Sequence, residues 1–351
     1  MPEKQYRFRK GEEECCMDRT TPSKAFGMTG MCAEPELFFI INPASHSGKG
    51  LRLWQKAEAL LRSQGIVYEA FFSERRGDIA RIARQLTVSL QDGGERTIVI
   101  LGGDGSVNEA LQGLENFERV RLGYIPTGSS NDLARDLEIS RDVSEALQTV
   151  RKGRERRMDL GCVSWEEGGK WHRRYFAVSC GIGYDAAICQ EALSSKMKDL
   201  FNRFGLGKLT YLGIGLKQML KVRTVRCSLR LDQKEMIRLD RMLFIANMSH
   251  RYEGGGFCFC PQADDGDGLL DLCVVNRVPK WKIPVVIPFA LFGRHFRFRG
   301  VEHYRAARID IRTDAPLWVQ TDGEVPANTD AVTVTVEKGK LRFVCEKEME
   351  T

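Results

Sequence analysis

The sequence predicts two domains of different build, an α/β layer on a parallel sheet followed by a β-rich, sandwich-like domain. Three observations predict it. Apolar runs of strand length alternate with helical stripes over about 120 residues, the grammar of a parallel sheet covered by helices. From Arg154 onward, period-two alternation and short turns replace the stripes. In the first region, Ile98-Val-Ile-Leu101 stops at Gly102, Gly103 and Gly105, and Val107, Ala110, Leu111 and Leu114 then repeat at helical spacing: strand, glycine turn, helix.

At 351 residues the chain is long enough for two domains, and 42% hydrophobic with 28% charged residues is ordinary for a globular protein. A net charge of +6 is too small to indicate a nucleic-acid partner. Eleven cysteines, an odd number scattered without a signal-peptide core ahead of them, suggest reduced thiols in the cytoplasm. No window approaches the ~18 apolar residues of a spanning helix.

Residues 1–35 lack periodicity and read as a poorly ordered extension. Leu37–Ile41 is a buried-strand run, and Asn42-Pro-Ala-Ser-His-Ser-Gly-Lys-Gly50 leads into a helix with Trp54, Ala57, Leu60 and Leu61 on one face. Pro43 and Gly50 exclude a Walker A loop, because they replace its first glycine and its Ser or Thr. Ile66–Phe72 is strand-like, Asp78 can cap a helix with Ile79, Ile82, Ala83, Leu86 and Leu90 on one stripe, and Arg119–Ile125 is a further strand. It runs into Pro126-Thr-Gly-Ser-Ser-Asn-Asp-Leu-Ala-Arg-Asp-Leu137. In the second region, Met158–Trp165 with Trp171–Ser179 and Val225–Leu231 with Ile237–Met248 form strand pairs, Tyr184–Lys221 is a helical exception, and Val332–Val336 with Leu341–Cys345 reads as a last hairpin.

The strand-to-helix turns carry the chemistry. Free N–H groups and the positive end of a helix dipole at Gly102–Gly105 favour phosphate oxygens. Asp104 inside the glycines would repel a phosphate unless a divalent cation lies between them or it orients a donor. A dinucleotide G-x-G-x-x-G fingerprint fails, since Asn108 stands at its third glycine. Asp264, Asp265, Asp267 and Asp271 occupy a glycine-rich loop of the oxygen-rich kind that hard cations accept, yet without the spacing of an EF-hand. Asp322-Gly-Glu324 aims two carboxylates out of a strand end, as a general base for a hydroxyl requires, or forms a plain Asp-Gly hairpin turn. Residues 278–299 interleave an apolar block with Lys280, Lys282, Arg294, Arg297 and Arg299, a pattern shared by interfacial segments and by core helices with solvated ends. Cys258-Phe-Cys260 and His250 lack a fourth zinc ligand at any standard spacing.

With these residues in view, the chain resembles the diacylglycerol kinase-like lipid kinases, relatives of sphingosine and ceramide kinases, over roughly residues 37–343 and in motif order. The resemblance implies a phosphofructokinase/NAD kinase-like catalytic domain over 36–155, joined by returning strands at about 331–346, and a β-rich domain over 156–330. It implies ATP and Mg²⁺ as cofactors, with the nucleotide met by Asn42, Ser45, Gly48, Ser73, Gly102, Gly103, Asp104, Gly105, Ser106, Asn108, Glu109, Gly128, Ser129, Asn131 and Asp132. Ser73, Ser106 and Ser129 each keep the hydroxyl of a family Thr. Asp322 would be the general base, Glu324 its acidic neighbour, and Asp104 the group reaching the catalytic Mg²⁺ through water. Asp264 and Asp267, with the Leu269 carbonyl, would hold a second metal, Asp265 being the rival ligand. The implied reaction moves the γ-phosphoryl group to a lipid hydroxyl, first of all diacylglycerol to give phosphatidic acid. The implied setting is cytoplasmic and peripheral to a membrane, with room for a homodimer. NAD kinase, or a regulator that binds nucleotide without catalysis, are the alternatives.

Overall fold

The computed structural model describes residues 5–8, 15–16, 35–194 and 223–346. The chain divides into two compact units, one of Met1–Gly128, Ile139–Arg156 and Arg342–Thr351, the other of Ser129–Glu138 and Arg157–Leu341.

In the first unit the strands are β1 (Gln5–Phe8), β2 (Cys15–Cys16), β3 (Leu37–Ile41), β4 (Tyr68–Phe72), β5 (Arg96–Gly102) and β6 (Val120–Pro126), in the spatial order β6-β5-β3-β4-β1-β2. β3, β4, β5 and β6 are mutually parallel, and every residue of β3 is buried, which is why its sequence is an unbroken apolar run. The helices are α1 (Ser45–Gly48), α2 (Gly50–Ser63), α3 (Asp78–Val88), α4 (Asp104–Gly113) and, later, α6 (Val143–Lys152). Trp54 of α2 packs its ring 5.1 Å from Phe39 and 5.7 Å from Tyr68, anchoring the helix to β3 and β4. α4 crosses α3 at Gly113, where any Cβ would overlap the Ala80 carbonyl.

The sheet order places β4 on one side of β3 and β5 on the other. Strand ends that diverge in this way leave a crevice beyond their carboxyl termini, the general ligand position of open α/β sheets. Here that point lies between the ends of β3 and β5, at Asn42 and Gly102.

The second unit is antiparallel. Its elements are α5 (Asp132–Asp136), β7 (Arg154–Glu167, entering from the first unit), β8 (Lys170–Phe176), β9 (Ser179–Gly183), α7 (Tyr184–Ser194), β10 (Val225–Leu231), β11 (Met236–Met248), β12 (Tyr252–Glu253), β13 (Phe257–Cys258), β14 (Leu270–Asn276), α8 (Ile283–Ala290), β15 (Val301–Ala306), β16 (Arg308–Thr321) and β17 (Glu324–Cys345). The main order is β15-β14-β11-β10-β16-β17, and β9 pairs with the far halves of β11 and β16. The alternation read from the sequence places Val225, Cys227 and Leu229 of β10 in one core with Ile309, Ile311 and Val334. At the β10–β11 turn both Asp232 and Gln233 take positive φ, the twist that matches a two-residue hairpin.

Several expectations need correction. Within the extension, Gln5–Phe8 forms a strand antiparallel to β4 and Cys15–Cys16 pairs beyond it, while most of residues 1–34 lie outside the described residues. The long helical exception is described only over Tyr184–Ser194; the remainder, 195–221, lies outside them as well. The last hairpin is a single strand. Gly339 takes φ +58 and gives its N–H to Asp159 Oδ1 at 2.6 Å, so the chain kinks there and continues instead of reversing. Only from Arg342 does β17 belong to the first unit, pairing parallel to β6, whereas residues 331–341 count with the second.

Candidate active site

In the first unit, the ends of the parallel strands hold most of the residues expected at the nucleotide. Asn42 follows β3, takes the Leu101 carbonyl on its own N–H at 2.9 Å, and donates from Nδ2 to Ser106 Oγ at 3.1 Å. Its Oδ1 accepts from Ala44 N at 3.1 Å, turning the loop back on itself. Ser45 Oγ lies 2.7 Å from Thr127 Oγ1, and Thr127 N donates to the Gly102 carbonyl at 2.6 Å. The loops after β3, β5 and β6 are therefore stitched to one another by short polar side chains and backbone.

The glycines here are demanded by space. A Cβ on Gly102 would overlap the Ser106 side chain, and one on Gly50 would overlap the Asn42 carbonyl and Ser45 Oγ. Neither shows a positive φ. The close approach brings Gly103, at extended φ, to the start of α4, with Asp104 and Gly105 in its first turn and Ser106 and Asn108 buried behind them. N–H groups of a helix start and hydroxyls together form a polar cradle for anionic oxygens, and the half-buried Asp104 carboxylate beside them calls for a cation between it and such an anion. Gly48, at φ +88 with open space around it, keeps the first loop low. Ser73 lies at the end of β4, giving its N–H to Ile41 O at 2.9 Å, and Gly128 follows Thr127 at the end of β6.

Glu109 has a different job from the one its position suggests. Its Oε1 accepts the N–H groups of Gly77 (2.7 Å) and Ile79 (3.0 Å), satisfying the start of α3 from the neighbouring helix. Asp78 meanwhile accepts from Glu74 N and Arg75 N at 3.0 Å each; burial opposes its charge, but these donors and Arg81 hold its carboxyl below the ordinary range.

Ser129, Asn131 and Asp132 belong to the second unit. Asn131 takes φ +51 before α5, a conformation asparagine tolerates, and Asp132 Oδ2 accepts from Gly255 N at 2.8 Å.

Asp322 also lies in the second unit, in the hairpin turn between β16 and β17, with φ +48 at Asp322 and +85 at Gly323. It is an Asp-Gly hairpin and something more. Its carboxylate accepts three successive backbone N–H groups, Ala177 (2.9 Å), Val178 (2.8 Å) and Ser179 (2.9 Å), which fix its direction. Glu324 is half-buried opposite Thr321.

Behind this turn is a polar group that no local pattern announces. Gln320 is fully buried, accepts Gly323 N at 2.8 Å, and directs its Nε2 to Asp185 (2.9 Å) and Glu253. Burial pushes both carboxyls upward in pKa, and Asp185 adds to the rise at Glu253. Gly181 makes the convergence feasible, because a Cβ there would overlap Asp185. Thr127, too, escaped a sequence reading that saw only its neighbours.

The acidic loop is balanced by cations of the protein. Asp264 is exposed and accepts Gly266 N at 2.9 Å; Asp267 accepts Leu269 N at 2.8 Å and pairs with Arg305, and Lys338 reaches the Asp267 carbonyl at 3.4 Å. Asp265 turns inward, 3.7 Å from His250 Nε2, so of the two neighbours Asp264 is the one placed to meet a solvent cation. His250 Nδ1 lies 2.8 Å from Asp136. Burial opposes the charge of Asp136, but His250 and Arg251 hold its carboxyl below the ordinary range. No group of three or more His, Cys, Asp or Glu side chains suited to a metal occurs among the described residues. Hard oxygen donors at Asp264, Asp267 and Leu269 suit Mg²⁺ in kind, but Arg305 already occupies Asp267, so the loop as arranged does not fit a second metal. Cys258 and Cys260 are buried thiols whose pKa burial raises.

An α/β unit with a polar cradle at its switch point and an antiparallel β unit make up the chain, and comparison with known proteins names the family they belong to. Residues 36–163 match the family model described as diacylglycerol kinase catalytic domain, and residues 178–345 match the YegS C-terminal NAD kinase beta sandwich-like domain. The chain belongs to the diacylglycerol kinase-like lipid kinase family. Bacillus subtilis YtlR is 26% identical over 83% of this chain and 94% of its own length. A diacylglycerol kinase of Mycobacterium tuberculosis is 28% identical over 85% of this chain and 93% of its own. A solved diacylglycerol kinase structure from Bacillus anthracis superposes with TM-score 0.66 at 22% identity, covering 89% of this chain and 97% of that one, a likeness of fold.

Proposed function

We propose that this kinase transfers the γ-phosphoryl group of ATP to the hydroxyl of a lipid, diacylglycerol being the acceptor that the names of its relatives favour. The observation that carries the reading is the stitched edge of the parallel sheet, where Asn42, Ser45, Ser106 and Thr127 lock three loops around the start of α4. Phosphoryl transfer asks the protein chiefly for positioning and charge stabilisation. Backbone N–H groups from Gly103 to Gly105 would face the phosphates. Asp104 would reach Mg²⁺ through water, and the cation when bound would supply charge neutralisation to the phosphates. Asp322 would receive the lipid hydroxyl proton, its direction set by three N–H groups. Glu324 would add negative charge beside it. The reading places the protein at a membrane periphery, and no helix among the described residues is long and apolar enough to cross a membrane.

The test is transfer of label from γ-labelled ATP with Mg²⁺ into an organic extract, using mixed micelles of diacylglycerol, phosphatidylglycerol, ceramide or sphingosine, with NAD in parallel. Label in diacylglycerol is the expected outcome; label in NAD alone overturns the reading.

A further inference from the structure

Residues 272–301 contain six Lys and Arg and no Asp or Glu, an excess not shared by the chain as a whole. They include α8, Ile283-Pro-Val-Val-Ile-Pro-Phe-Ala290, which is apolar on every face. A helix of that kind is buried on all sides or meets something apolar outside the protein. Only one side is buried: Ile283 and Val286 pack into a core with Tyr184, Phe244 and Val301. Val285 and Pro288 on the other side of the helix are open to solvent, as are Trp281 in the turn before it and Phe292 in the turn after it. Trp281 is 70% exposed, Val285 52% and Phe292 75%, so both aromatic rings stand largely in solvent.

Basic groups border these apolar side chains. Lys282 lies 5.2 Å from the Trp281 ring, and Gly293 turns the chain at φ +66 beside a shallow, open groove lined by Gly293, Arg294, Phe296 and Arg297. The turn is tightly set, since a Cβ on Gly293 would overlap Pro261. Exposed aromatic and aliphatic side chains beside a groove with two guanidinium groups match the two layers of an anionic bilayer surface, acyl chains below and phosphates above.

We propose that the Trp281–Arg297 surface docks this protein on anionic phospholipid bilayers, the apolar side chains entering the acyl boundary while Arg294 and Arg297 receive a headgroup phosphate. Charge complementarity selects this occupant over a second copy of the chain, because two such surfaces would bring like charges together. The inference deepens the lipid-kinase reading by saying where the bilayer that carries the acceptor is met, but the docking itself needs neither ATP nor turnover.

The experiment is sedimentation of the full chain with vesicles of phosphatidylcholine alone or mixed equally with phosphatidylglycerol, without nucleotide. Trp281→Ala with Phe292→Ala removes exposed groups outside the core, and the partition constant should fall roughly ten- to a hundredfold on mixed vesicles. Arg294→Ala with Arg297→Ala should lower it roughly tenfold or more on mixed vesicles only, and flatten its salt dependence. Both double variants should phosphorylate dispersed short-chain diacylglycerol at the wild-type rate. Wild-type protein that ignores the mixed vesicles, or double variants that bind them as tightly as wild type, overturns the docking surface even if short-chain lipid is phosphorylated. Docking that behaves as described while no lipid is ever labelled leaves this surface standing and removes the kinase reading instead.

Discussion

The two turns that matter most in this molecule, Gly102–Ser106 in the first unit and Thr321–Glu324 in the second, both rest on glycine, for opposite reasons. Gly102 has an ordinary φ and no room for a Cβ; Gly323 has open space and a φ of +85. The first turn is a matter of close packing between neighbouring loops. The second is a matter of backbone conformation, and its carboxylate is held by residues 143 to 145 positions away. The Gly102–Ser106 turn is made within one strand–turn–helix segment, whereas the carboxylate of the second turn takes its direction from distant chain. Mutation should separate the two.

The largest effect is expected at Asp322. Asp322→Asn should lower the rate of lipid phosphorylation by about 10²- to 10⁴-fold while ATP binding, read by equilibrium titration, stays near wild type. Full activity in that variant would falsify its role as base.

Acid should reveal the second unit's buried ionisable groups. His295 is buried among Phe259 and Phe296, and burial pulls its pKa down to about 4. The unfolded chain takes up the proton first, so the stability present above about pH 6.5 is lost as pH falls towards 4, on the order of 3 kcal/mol in all. Urea midpoints against pH should show wild type losing ground to His295→Gln across that window; parallel curves would contradict it.

The glycines come next. Gly102→Ala should cost about 1–3 kcal/mol and weaken ATP binding, because Ser106 must move. Gly323→Asn should cost about 1 kcal/mol or less, since asparagine accepts the left-handed region. Equal losses at the two sites, measured by thermal unfolding, would erase the distinction drawn between space and conformation.

Smallest is Glu109→Ala, for which about 1 kcal/mol of stability should go with the cap on α3. Its ATP affinity should fall little; a large fall would return Glu109 to the nucleotide contacts that the resemblance implied.

The same difference explains what the sequence could and could not reveal. Strand, glycine turn and helix follow one another within twenty residues at 97–114, so composition alone exposes the first site. Ser45 and Thr127 meet only because β3 and β6 end at one sheet edge, and nothing in either segment announces the other. Gln320 of β16 joins Asp185 of α7 and Glu253 of β12, three elements with no shared pattern, and was invisible for that reason. Alternation at Val332–Val336 was legible as strand, but the turn residues after it were misleading: Asp159 captures Gly339, and a tertiary contact overrides the local signal for reversal. The Asp-Gly pair announced the turn that holds Asp322, yet the three N–H groups that aim its carboxylate had to be seen.

One consequence of β17 concerns how the protein is made. β6 gains its outer neighbour only when Arg342 pairs beside Arg121, more than two hundred residues later in the chain. At ribosomal rates of roughly 5–20 residues per second, that sheet edge waits on the order of 10–40 s with unanswered N–H and carbonyl groups. During synthesis the nucleotide unit is thus an unfinished sheet, open to adding a strand from another nascent chain, and chaperone occupancy should concentrate in that interval.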